Sequence, residues 1–181
     1  MTQDSYLKAA LEGYAPAPFF FRQFHPDGDE RWVSWTPKLG MLKETVYAIL
    51  DSFPDDVEVL WKHYDNEDAE GDPEWIRFMG TVRSSALKDT IRRHESFVFQ
   101  DASNCLCVKR IDTGEYFALD HKGPLYLYSD SDWVPQLLTR LGHENRIEKL
   151  ITDAGHWTRT RPDNAETRQA IATELNLSKV Q

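Results

Sequence analysis

Cysteine is almost missing from this chain. Two occur in 181 residues, Cys105 and Cys107, and a pair two positions apart on one extended segment is poorly placed to bridge itself. A disulfide-stapled scaffold is therefore excluded. A C-x-C pair can ligate a soft metal, but no second cysteine pair completes a site, so two thiols with structural roles are expected. Long apolar runs are also missing, and none approaches the ~20 residues that a membrane-spanning helix needs. The opening MTQDSYLKAALEGY is acidic and amphipathic and has no basic n-region, so it is expected not to be a secretory signal. The expected compartment is the cytoplasm. Positive charge is scarce: 21 Lys and Arg stand against 30 Asp and Glu, a net charge of −9. Phosphate contacts need clustered Lys and Arg, so direct nucleic-acid binding is not expected. Acidity suits a well-solvated protein, or one that meets a basic partner.

Catalytic motifs are missing as well. There is no G-x-S-x-G, no Walker glycine loop, no G-x-G-x-x-G and no H-E-x-x-H. Ser85-Ala-Leu-Lys88 matches S-x-x-K, but the companion K-T-G and S-D-N elements do not occur. His25, His63, His94, His121, His143 and His156 never fall at metal-ligand spacing on one element. No metal, cofactor or catalytic residue is assigned from the sequence.

Apolar residues make up 40% of the chain and aromatics 12%, which is ample for a core and too much for a disordered chain. The length fits one domain, 1–181. The stretch Phe97–Tyr128 is the best-marked region. FVFQ, CLCVKRI, EYFALD and LYLY are runs rich in β-branched and aromatic residues, separated by DASN, DTG and HKGP. That pattern predicts a four-strand antiparallel meander over about 97–128. Alternation puts Cys105, Cys107 and Lys109 on one face of the second run and Leu106, Val108 and Arg110 on the other. One face is expected to pack on helices. The other, with Tyr116, Tyr126 and Tyr128, is expected to be partly covered. Gly114 and Gly123 fall where a turn needs positive φ.

Around the meander, Phe19–Phe24 and Arg31–Trp35 flank the turn HPDGDE as a hairpin, and Val57–Tyr64 and Glu74–Val82 read as two more strands. Helices are expected at 4–13, 38–53, 84–94, 132–141 and 165–175, with a short one over Glu144–Ile151. Ser84 or Ser85, Asp130 or Asp132, and Asn164 are the expected N-caps. Gly155–Arg161 looks extended. The fold class is α+β, built on a largely antiparallel sheet.

Three groups of side chains are candidate sites. Asp65, Glu67, Asp68, Glu70, Asp72 and Glu74 crowd one hairpin loop with no basic residue among them. An EF-hand register with Gly71 at the invariant glycine puts Arg77 where a bidentate Glu is required, so that motif fails. A solvated loop or a surface that docks a basic protein remains, and Asp130 and Asp132 join it as partner-binding candidates. Gly155–Arg161 (GHWTRTR) is basic and aromatic, so His156, Trp157 and Arg159 are candidates to hold an anionic or stacking ligand. Pairing of its arginines with the protein's own acids serves as well. Tyr116, Asp120, His121 and Tyr126 complete the candidate ligand-binding set.

Glu115–Asp120 (EYFALD), the turn at Gly123, Leu125–Tyr128 (LYLY) and the helix over Asp132–Leu141 resemble bacterial immunity proteins of the SUKH type. These are cytosolic antidotes encoded beside secreted antibacterial toxins. They carry late sheet strands with a "y-x-lD" ending, followed by a helix. The resemblance implies a stoichiometric inhibitor whose partner is a cognate toxin with a basic surface, and it carries over no functional residue. The first alternative is a small enzyme or ligand-binding protein with a pocket near 116–128 and 155–161. The second is an acidic mimic of nucleic acid.

Overall fold

The computed structural model describes residues 17–24, 30–36, 38–65, 74–101, 103–120, 123–147 and 165–180. In chain order these form β1 (Phe19–Phe24), β2 (Glu30–Trp35), α1 (Leu39–Asp51), β3 (Asp56–Asp65), β4 (Glu74–Arg83), α2 (Ser84–Arg93), α3 (Glu95–Gln100) and β5 (Asn104–Arg110). After them come β6 (Tyr116–Leu119), β7 (Leu125–Tyr128), α4 (Trp133–Arg140), β8 (Glu144–Asn145), α5 (Ala165–Glu174) and β9 (Ser178–Val180). The nine strands make one sheet in the order β8-β1-β2-β7-β6-β5-β3-β4-β9. Every neighbouring pair is antiparallel except β1 with β8. The architecture is α+β, as the sequence pattern predicts.

Strand alternation divides the apolar residues between two faces. Phe20, Leu125, Leu127, Phe117, Leu119, Leu106, Val108, Val57, Val59 and Trp61 point to the first face, where they meet the apolar stripes of the helices in one continuous core. The stripe of α1 is Leu42, Val46, Ile49 and Leu50, at helical spacing and all buried. Leu87 and Ile91 of α2, Val134, Leu137 and Leu138 of α4, and Ile171 and Ala172 of α5 complete the layer. Each fully buried aliphatic or aromatic side chain contributes roughly 1.5–3 kcal/mol. The turns use glycine as expected, with φ of 77° at Gly114 and 97° at Gly123.

Three expectations are corrected. FVFQ is helical: it is the greater part of α3, so the meander has three strands, β5–β6–β7, and not four. The edges of β5 are taken by β3 and β6, which leaves no place beside it for a fourth run. Phe97, Val98 and Phe99 are buried in succession, and the N–H groups of Phe97 and Val98 both donate to the His94 carbonyl at 3.0 Å. Burial and these turn bonds override the β preference of Phe and Val. The second correction falls on Glu144–Ile151, which begins as a strand: Glu144 and Asn145 pair with Phe19 and Phe20, held by Glu144 N–H to Pro18 O and Arg146 N–H to Phe20 O. The third concerns the caps. Asp132 stands at the N-cap of α4 as expected but makes no side-chain cap bond; α2 is preceded by Arg83 and has no such bond either, and the Ser84 hydroxyl donates instead to Leu50 O at 3.2 Å, tying α2 to α1. The expected helix at 4–13, the Asn164 cap and the extended Gly155–Arg161 lie outside the described residues.

Candidate functional site

The register places the second face of the sheet in rows that cross the strands. The first row runs Thr81, Glu58, Lys109, Tyr116, Tyr128, Arg31, Gln23 from β4 to β1. The second runs Met79, Leu60, Cys107, Ala118, Tyr126, Val33, Phe21 across the same strands. In the third, Arg77, Lys62 and Cys105 lie side by side, and Asp120 follows Leu119, the partner of Leu106. At the β1–β2 end the face is closed: Phe19, Phe21, Val33 and Trp35 are all buried. From β7 to β4 it is partly covered, with Cys105 and Ala118 buried. Tyr116, Tyr126, Tyr128, Leu60 and Cys107 are half-buried, and Met79 is 43% exposed. Among the described residues no helix adds to this face, since the buried helical residues belong to the core on the other side.

A set of aromatic and charged contacts fixes the first row. The Tyr116 and Tyr128 rings stack with centroids 4.1 Å apart and planes 13° from parallel. Arg31 lies against both neighbouring tyrosines. Its guanidinium carbon sits 4.1 Å from the Tyr126 ring centre, Nη1 donates to the Tyr128 hydroxyl oxygen at 2.8 Å, and Nε donates to Gln23 Oε1 at 2.7 Å. Lys109 pairs with Glu58 at 3.1 Å on the far side. These tyrosine and arginine side chains hold one another in place. Rigid aromatic and guanidinium groups of this kind are enriched among the residues that dominate protein interfaces.

The structure brings Tyr116, Tyr126 and Asp120 onto this one face, with Asp120 half-buried beside the third row. His121, His156, Trp157 and Arg159 lie outside the described residues, as do Glu67, Asp68, Glu70 and Asp72. Asp65 and Glu74 are the last backbone register pair of the β3–β4 ladder. Asp130 and Asp132 are exposed after β7, at the end of the sheet where Tyr128, Tyr116, Lys109 and Glu58 lie. Arg31, Gln23 and Lys62 are the members of the site that sequence reasoning missed. Alternation in Arg31–Trp35 places Arg31 on the same face as Val33 and Trp35, but only the long-range β2–β7 pairing sets it beside the tyrosines.

A histidine, a serine and an aspartate also meet at the other end of β3. Ser103 Oγ lies 3.3 Å from His63 Nδ1, and its hydroxyl donates to the Asp101 carboxylate. Asn104 Oδ1 accepts from Trp61 Nε1 at 3.2 Å and lies 3.4 Å from His63 Nδ1, while Asn104 Nδ2 donates to Phe97 O at 2.7 Å. Nucleophilic catalysis needs a hydroxyl whose proton is presented to the imidazole and whose oxygen a substrate can reach. Here the proton goes to the carboxylate, and all four polar residues are buried, His63 completely. The cluster anchors the turn after α3 to β3 and β5. Among the described residues, no three His, Cys, Asp or Glu side chains gather as a metal site, and no helix is long and apolar enough to cross a membrane.

Comparison of the chain with family models, with curated proteins and with solved structures finds no match in any of the three.

Proposed function

We propose that this chain is a binding protein, an immunity factor or other stoichiometric inhibitor, that meets a basic protein partner on the open face of its sheet. The observation that carries the reading is the ordered Tyr116–Tyr128–Arg31–Tyr126 set on that face. Its aromatic surfaces are already engaged with one another and with Arg31. This suits a preformed contact surface better than an empty slot for a small ligand. Exposed Asp130 and Asp132 at one end of the face, together with the carboxylate-rich 65–74 stretch of the sequence, supply the negative charge that would orient a basic partner. A toxin encoded beside this chain is the partner to try first.

The test is co-purification of the full chain with the product of the adjacent gene, followed by affinity measurement. The expected result is a stoichiometric complex that Tyr126→Ala weakens about tenfold or more, the scale of an interface anchor. Neutralising the carboxylates of Asp65–Glu74 weakens it further. Absence of a complex, or variants that bind as tightly as the parent chain, would overturn the reading.

A further inference from the structure

The C-terminus of α4 closes in a pattern that ordinarily takes an apolar residue. Gly142 N–H donates to Thr139 O and His143 N–H donates to Leu138 O, both at 3.0 Å, and Gly142 supplies the left-handed residue with φ of 85°. These are the paired bonds of a Schellman motif, in which the residue after the glycine rests an apolar side chain on the last helical turn. Here that residue is His143. It is 3% exposed, and neither ring nitrogen has a hydrogen-bond partner among the described residues. From His143 the chain passes directly into β8, the two-residue edge strand. That strand hangs on β1 by Glu144 N–H to Pro18 O at 2.9 Å and Arg146 N–H to Phe20 O at 3.0 Å.

A neutral imidazole can occupy this position as an apolar plug, and an imidazolium cannot. The protonated ring carries two donors and a full charge, and burying a charge with no counter-ion costs far more than burying the neutral group. The charged groups of the flanking elements do not answer it. On β8, Glu144 is in register with Phe19, so alternation sets Glu144 and Arg146 on the Phe19 side of the sheet and His143 on the other. Glu144 and Arg146 lie 3.4 Å apart, and the Arg146 guanidinium sits over the Phe19 ring. On α4, the charged residue of the last turn is Arg140, which is exposed. On β1, Arg22 pairs with Glu30 of β2. Burial pushes the His143 ring below the ordinary histidine range, and the Leu138 carbonyl, which favours a cation at a helix C-terminus, offsets only part of that.

We propose that His143 is an acid-sensitive latch: protonation expels its ring from the end of α4 and releases β8 from the edge of β1. The docked form holds the neutral ring, and the released form takes a proton as freely as any solvated histidine. Docking is therefore at full strength above about pH 6.5 and weakens as pH falls below it. Each pH unit between the ordinary and the buried value multiplies release about tenfold. Release uncovers the Pro18 and Phe20 carbonyls and leaves β1 as an open strand edge. The opening is local, because β8 contributes no residue to the apolar core. This inference stands whether or not the open face docks a partner.

The experiment follows amide hydrogen exchange of the full chain by NMR from about pH 7.5 to about pH 5, with each rate corrected for the intrinsic effect of pH. The His143 ring signals are titrated in parallel. His143→Leu keeps an apolar side chain at the end of α4 and cannot titrate. In the parent, protection of the Glu144 and Arg146 amides is expected to fall about three- to tenfold between roughly pH 6.5 and 5.5. The Val108 amide, on β5 between β3 and β6, is expected to keep its protection. In His143→Leu all three are expected to stay constant. The ring midpoint is expected below that of free histidine in the same buffer. If His143→Leu fails to fold, the parent's ring midpoint and amide profiles decide the matter. A ring midpoint at or above that of free histidine overturns the proposal, as does unchanged protection of Glu144 and Arg146 in the parent. An equal fall in His143→Leu, or loss of Val108 protection in step with theirs, overturns it too.

Discussion

Glu115 shows how one carboxylate can organise a junction. Ser131 Oγ and Trp133 Nε1 donate to one of its oxygens at 3.0 and 3.1 Å, and the Ser129 hydroxyl joins them. Thr113 Oγ1 donates to the other at 3.0 Å, where Arg110 Nη1 lies 3.2 Å away. The β5–β6 turn, the loop after β7 and the start of α4 thus converge on a single side chain. Burial pushes its carboxyl up, but the hydroxyl and indole donors outweigh that and hold it below the usual range. Glu115→Ala leaves those donors unsatisfied and is expected to cost about 1–3 kcal/mol in denaturant unfolding. Glu174 plays the same part on the surface. Arg93 and His94 hold it at 2.8 and 3.1 Å, and these hydrogen bonds lower its pKa from 4.5 to about 2. A carboxyl depressed by folding stabilises the fold above its unfolded pKa, and that contribution is lost as pH falls through the folded value. The stability difference between the parent and Glu174→Gln should therefore shrink as pH falls from 4.5 to 2. A pH series of unfolding curves checks it, and a difference that does not change with acid refutes the assignment.

Elements were legible in the sequence where a single local signal decided them. The 3.6-residue stripe of Leu42, Val46, Ile49 and Leu50 marked α1, and alternation around a turn marked the β1–β2 and β3–β4 hairpins. Alternation also separated Leu106 and Val108 from Cys105 and Cys107, which is how the faces of the sheet divide. What escaped was decided over distance. FVFQ has the composition of a strand and became a helix because both neighbours of β5 were taken. Glu144–Asn145 became a strand only because β1 offered an edge. Ser178–Val180 went unread because three residues carry no period, and it is held by Arg77–Met79. The candidate site divides the same way: its tyrosines were visible in LYLY and EYFALD, whereas Arg31 reaches them only through the β2–β7 register. The approach to β9 depends on one absent side chain. A Cβ added at Gly80 would lie 3.0 Å from Leu177 Cδ2 and 3.6 Å from Leu177 Cα, where the chain leaves α5 to form the edge strand. Gly80→Val is expected to displace that turn and destabilise the protein by about 1–3 kcal/mol. Gly80→Ala should have a smaller effect because the Leu177 side chain can shift. Thermal unfolding of both variants measures this, and a neutral valine would mean that the close approach is not needed.

At the scale of the whole molecule, the proposed function would divide the work of binding between two kinds of surface feature. The net charge of −9 acts over distance, and in about 0.15 M salt it is screened within roughly 8 Å. Charge of this sort speeds encounter with a basic partner and adds little to the lifetime of the complex once formed. The tyrosine set on the open face can act only in contact, so in such a complex it would govern dissociation. If the proposed function holds, the two contributions are separable. Asp130→Asn with Asp132→Asn should lower the association rate at low salt and flatten its dependence on ionic strength, while leaving dissociation nearly unchanged. Tyr126→Ala changes no charge, so it should speed dissociation and leave the salt dependence of association as it was. Stopped-flow or surface-capture kinetics over a range of salt concentrations would read both. The argument fails if the acidic pair alters the dissociation rate while the association rate stays insensitive to salt, because the acids would then be contacts within the interface and not guides towards it.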